Sequence, residues 1–290
     1  MHLLLGISAA AGAALCYDGA GVLQAGEARA VAGPVLKASL LRDLARRPRW
    51  VAATALAVAG WPLQVTALAL APLAVVQPTL AVGLVLLLVM GARLYGERVT
   101  RADWVASAAV LAGVVGLAVC APAASGHAHH PLTLALVLGA LTVAALGPPV
   151  LRGATQRGPV LVVAAGCAFT VTAIASDLLA TALGDGRWGA AVAWVALCAP
   201  VAALGTLDEM GAMQRLAVAR VAVPIFVVQT ALPVALAPML VGEHWGPTPG
   251  GGAGLLAALA TCTAGAGWLA RSPAVDAIVG ATHAGDAPPA

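Results

Sequence analysis

From Val51 to Ala92 the chain carries no charged residue. A helix that spans a bilayer needs about 20 apolar residues at 1.5 Å of rise each, so this one run is read as crossing twice, turning near Ala71 and Pro72. A second uncharged run, from Trp104 to Leu151, reads the same way, turning around the HAHHP segment. Soluble domains carry roughly a quarter charged residues. Here 9% are charged and 61% hydrophobic, with mean hydropathy +0.95, which is the composition of an integral membrane protein. The apolar stretches are continuous and do not alternate, so they predict helices and not a β-barrel.

Further apolar segments at 2–25, 158–183, 189–213, 219–241 and 252–270 bring the expectation to an all-α membrane protein with nine transmembrane helices. The first segment has no Lys or Arg ahead of it and so lacks the basic region of a secretory signal; it reads as a retained helix. Basic residues orient the spans, because cytoplasmic loops are enriched in Lys and Arg. With the N-terminus outside and the C-terminus inside, the inner loops collect Arg29, Lys37, Arg42, Arg46, Arg47 and Arg49, then Arg93, Arg98 and Arg101, Arg152 and Arg157, Arg215 and Arg220, and Arg271. Of the 15 basic residues only Arg187 falls on the outer side. Residues 26–49 read either as an amphipathic segment on anionic lipid or as a solvated basic loop. The Ala/Gly/Pro-rich segment 271–290 reads as a disordered cytoplasmic tail. Five single cysteines without a CxxC pair read as packing residues and not as a metal or disulfide framework.

An internal repeat is also expected. AAGAAL at 10–15 returns as AAGCAF at 164–169, AVVQPTLAVGLVL at 74–86 as FVVQTALPVALAP at 226–238, and YGERVT at 95–100 as VGEHWG at 241–246. The offset spans an odd number of helices, so the halves 1–151 and 152–270 are read as an inverted 5+4 helix repeat, an arrangement characteristic of transporters.

Residues 49–100, with LALAPLAVVQP, the long apolar helix after it and the pair Gly96-Glu97, resemble the drug/metabolite transporter (DMT) superfamily. The nine-helix, NIPA-like branch of magnesium transporters, akin to EamA-like proteins, is the most similar. The resemblance implies a membrane-embedded central cavity and transport of a small solute or cation. Where the NIPA-like pattern places an acid after the glycine in the second helix, this chain has Gly60, Trp61 and Gln64.

Ionisable groups at membrane depth are expensive and mark functional sites. Asp18 lies in the inner half of the first helix beside Tyr17, and Gly19 and Gly21 are read as allowing close approach or a local break. Asp208 and Glu209 stand near the inner end of the seventh span, at the level of Asp18. These acids are candidate ligands for a proton, a cation or the cationic part of a substrate. The competing reading ends that helix at Leu207 and leaves both acids in a wet loop. Gln64, Gln77 and Gln229 are candidates for contacting substrate or for bonding one helix to another. Asp177 reads as interfacial. Prolines 62, 72, 78, 200, 224, 233 and 238 mark bending helices along the path. His127, His129, His130 and His244 form a candidate outer-face metal cluster, set against an outer loop with incidental histidines. The small residues of GGGAGLLAALATCTAGAG read as a close-packing or homodimer face.

No HExxH, nucleophile elbow, P-loop or dinucleotide fingerprint is present, so neither an enzyme nor a nucleotide-driven pump is expected, and no cofactor or nucleic-acid partner. The expected function is a secondary transporter of the bacterial cytoplasmic membrane, exporting a small metabolite or drug-like solute in exchange for protons. The alternative is a NIPA-like divalent-cation pathway in which Asp18, Asp208 and Glu209 supply oxygen ligands to Mg2+. A non-transporting membrane scaffold is the third reading.

Overall fold

The described residues of the computed structural model are 2–31, 38–71, 76, 79–83, 89–90, 93–94, 99–120, 131–151, 157–241 and 250–271. They form the helices α1 (His2–Arg29), α2 (Ala38–Leu44), α3 (Pro48–Leu70), α4 (Arg101–Cys120), α5 (Pro131–Leu151), α6 (Gly158–Gly184), α7 (Trp188–Met213), α8 (Val218–Val241) and α9 (Ala253–Arg271). Residues 79–83 are helical as well.

Among the described residues five helices, α1, α3, α5, α6 and α7, are long and apolar enough to cross a membrane. That is the constitution of a multi-pass membrane protein, and it corrects the expectation of nine spans. The apolar stretches of α8 and α9 are Arg220–Pro233 and Ala253–Trp268, each within 10–17 residues and so shorter than a span. α4 opens on Arg101 and Asp103. Nor is an inverted 5+4 repeat shown: α1, α3 and α5 precede residue 151, whereas α6 and α7 follow it. The matched strings consist mostly of Ala, Val, Leu and Gly, which fill any apolar helix, so composition alone generates such resemblance.

Helix ends follow local chemistry. Ala71, ahead of Pro72, is extended (φ −139°, ψ 148°), as a residue preceding proline prefers, and α3 stops there. At the start of α4, Thr100 and Asp103 cap one another reciprocally. The Thr100 backbone N–H donates to Asp103 Oδ2 at 2.8 Å and the Asp103 N–H to Thr100 Oγ1 at 3.2 Å.

Three antiparallel pairs organise the bundle: α1 with α3, α6 with α7, and α4 with α9. Small residues let each pair close. A Cβ on Gly60 would lie 3.1 Å from Cys16 Cβ and Tyr17 Cε1, and one on Gly205 would lie 3.0 Å from Ala168 Cβ and Phe169 Cε1. One on Gly113 would stand 2.7 Å from the Cys262 backbone nitrogen. The small-residue face of α9, expected to pack closely or to pair two copies, therefore meets α4 of its own chain. Outward-facing Leu4 (70% exposed), Leu136 (65%) and Val192 (68%) leave apolar surface that lipid, not water, accommodates.

One end of the bundle is a hydrophobic core built by the C-terminal part of α1, α2, the first turn of α3, the start of α6, the end of α7 and the start of α8. Leu40, Leu44, Leu161, Met210 and Met213 fill it. The chain there carries Arg29, Arg42, Arg46, Arg47, Arg49, Arg157, Arg215 and Arg220, whereas Arg187, paired with Asp185 at 3.0 Å, lies at the turn between α6 and α7 at the opposite end.

Candidate functional site

The middle of α1 meets α3, residues 79–83 and α8. Ala10, Ala13, Ala14, Ala67, Val76 and Leu80 form the apolar contact, with Tyr17 and Phe226 packed against it. Into this junction α1 brings two polar side chains. The Tyr17 hydroxyl donates to Gln64 Oε1 at 2.8 Å, across the α1–α3 interface. The Asp18 carboxylate, half-buried, lies against Gly83 so closely that a Cβ at that position would overlap it. Gln229 is half-buried one turn beyond Phe226 on α8. Pro233 in α8 cannot donate to the carbonyl four residues earlier, so the Gln229 backbone oxygen is left without that helical bond. The result is a carboxylate beside the Tyr17–Gln64 bond at this helix contact, with Phe226 of α8 packed against the same apolar cluster.

Neither Gly19 nor Gly21 breaks α1, and a Cβ on Gly19 would meet only Leu56 Cδ2, at 3.8 Å. α1 is unbroken from His2 to Arg29, and a Cβ on Gly21 would meet nothing within 4 Å. Close approach to Asp18 is supplied from the opposite side, by Gly83, a residue the sequence reading passed over. Its only signal was position, one glycine inside an apolar run after the VVQP string.

The two acids of α7 are in a helix, not a loop, because α7 continues to Met213. Asp208 is 0% exposed, and among the described residues neither of its carboxylate oxygens has a hydrogen-bond partner. Glu209 is half-buried and points about 100° around the helix from it. Arg29 at the end of α1 donates to the backbone oxygen of Met213 at 3.3 Å, which registers the two helix ends. Counting from that contact, Asp18 lies about 16 Å up α1 and Asp208 about 7 Å up α7.

Polar contacts join the helix pairs on both sides of this region. At the arginine-bearing end Arg29 Nη2 reaches Leu216 O at 3.3 Å and Gln214 Nε2 donates to Ala28 O at 3.2 Å. Toward the other end Trp61 Nε1 donates to Ser176 Oγ at 3.0 Å, beside Leu179, Ala182, Ala191 and Trp194. Trp61 was noted in sequence only as a departure from a family pattern; its bond to α6 had no sequence signal.

Gln77, His127, His129, His130 and His244 lie outside the described residues. Asp177 is exposed near the end of α6. The cysteines are free thiols, and Cys167, Cys198 and Cys262 are buried in helix contacts. Among the described residues no three His, Cys, Asp or Glu side chains gather as metal ligands. Compared with protein-family models, curated proteins and solved structures, the chain matches none.

Proposed function

We propose that the chain is a secondary transporter of the drug/metabolite transporter kind that moves small organic ammonium ions across a bacterial cytoplasmic membrane in exchange for protons. The observation that carries this reading is the placement of Asp18. A carboxylate half-buried at mid-helix, next to Tyr17 on α1 and at the apolar contact that Phe226 also packs against, supplies the charge and the ring faces that an alkylammonium group requires. The carboxamides of Gln64 and Gln229 orient such a solute through its polar atoms. By the positive-inside rule the arginine-bearing end faces the cytoplasm. A divalent-cation pathway needs a shell of six or more oxygens, and no observation on this chain favours it over the ammonium reading.

The test is counterflow in proteoliposomes. Vesicles loaded with benzyltrimethylammonium take up the labelled compound when they hold wild type and fall to the protein-free rate with Asp18→Asn. Equal counterflow in both removes Asp18 from the path, and selective Mg2+ flux in its place defeats the proposal.

A further inference from the structure

We infer that Asp208 is a proton-binding site distinct from the Asp18 solute site, loaded from the arginine-bearing end of the bundle. This rests on the transport reading for its role, but not for its chemistry. Asp208 is 0% exposed on α7, between Leu207 and Met210, which belong to the apolar core at the arginine-bearing end. Among the described residues both carboxylate oxygens lack a hydrogen-bond partner. Because α7 is continuous through Met213, its own amides are committed to the helix and do not serve the side chain.

Among the described residues no charged group of the surrounding elements hydrogen-bonds to the Asp208 carboxylate. On α1, Glu27 pairs with Arg47 at 3.0 Å, and Arg29 binds the backbone oxygens of Met213 and Leu216. On α2, Asp43 faces Arg46 at 4.0 Å and Arg42 is exposed. Arg157, before α6, is exposed. Arg215, after α7, donates to Gly211 O. Glu209 adjoins Asp208 on α7 and adds only like charge. Arg220 of α8 is buried and makes contacts of its own. Among the described residues none of these bonds to Asp208.

A buried carboxylate without a counter-charge or donor is among the costliest arrangements a protein core can hold. Among the described residues no side chain neutralises it, and a proton does so without further ligands. Three ligating side chains for a metal do not gather among the described residues, and the close-packed apolar surroundings admit only the smallest cation. The carboxylate takes up one proton to become the acid and later returns the same proton, with no other bond made or broken. Asp208 lies among Leu207 and Met210 of one apolar core, whereas Tyr17, next to Asp18, packs against a separate cluster with Ala67 and Leu80, which keeps the two carboxyls apart.

Infrared titration of the full-length protein in lipid reads the proton directly. A carboxylic-acid C=O stretch is expected in wild type and in Asp18→Asn, absent in Asp208→Asn, and present at a shifted frequency in Asp208→Glu. A band unchanged by Asp208→Asn overturns the inference. In proteoliposomes Asp208→Asn should retain benzyltrimethylammonium counterflow but lose accumulation driven by a pH gradient, with Asp208→Glu restoring part of it. Loss of counterflow as well places Asp208 in the solute site and overturns the division. Wild type that moves no benzyltrimethylammonium defeats the transport proposal alone, because the infrared titration still decides whether Asp208 holds the proton.

Discussion

Tyr17 donates its hydroxyl to Gln64 Oε1 at 2.8 Å, so the residue next to Asp18 on α1 is fixed by a side chain from α3. This bond couples the α1–α3 contact to the geometry of the carboxylate beside it. Tyr17→Phe keeps the ring and leaves the Gln64 oxygen without its donor. The expected cost is about 1 kcal/mol of stability, together with weaker ammonium binding. Thermal unfolding in detergent checks the first part. Adding Gln64→Leu to Tyr17→Phe should recover the stability and not the binding.

Gly83 gives Asp18 its room. A Cβ there overlaps the carboxylate, so Gly83→Ala should displace Asp18 and cost about 1–3 kcal/mol by overpacking. Pairing it with Asp18→Ala should return the lost stability. Equal unfolding temperatures for Gly83→Ala and wild type contradict the contact.

The α4–α9 pair closes on backbone atoms. A Cβ on Gly113 would stand 2.7 Å from the Cys262 nitrogen and 2.8 Å from its Cα. Backbone yields less readily than a flexible side chain, so Gly113→Val should destabilise more than Gly139→Val, where a Cβ meets nothing within 4 Å. Unfolding curves of the two variants test the difference.

At the arginine-bearing end, Arg29→Ala removes the bonds to the Met213 and Leu216 carbonyls. It should loosen α1 from α7 there. A cysteine replacing Glu209 should then react faster with a water-soluble thiol reagent than it does with Arg29 intact; equal rates show that other contacts hold this end shut.

Membrane character was legible from one property, uncharged length, because the bilayer imposes a length on any helix that crosses it. The acids Asp18 and Asp208 were legible for the same reason, since each stands out against an aliphatic background. Span number and repeat were not, because Ala, Val and Leu carry little positional information. Helix pairing was illegible too. Gly83 meeting Asp18 and Trp61 meeting Ser176 join residues 65 and 115 positions apart, and no spacing rule within one helix reaches across such a gap. The continuation of α7 past Leu207 was undecidable from sequence, because adjacent acids end a span or line one equally well. Packing of Met210 and Met213 into the core settles it.

The central claim is that Asp18 holds the charge of an ammonium solute. Equilibrium binding of benzyltrimethylammonium to purified protein, wild type beside Asp18→Asn, tests it most directly. Saturable binding that weakens by at least about tenfold in the variant, roughly 1.4 kcal/mol, is the expected result. Equal affinity in the two proteins, or no saturable binding to wild type, contradicts it.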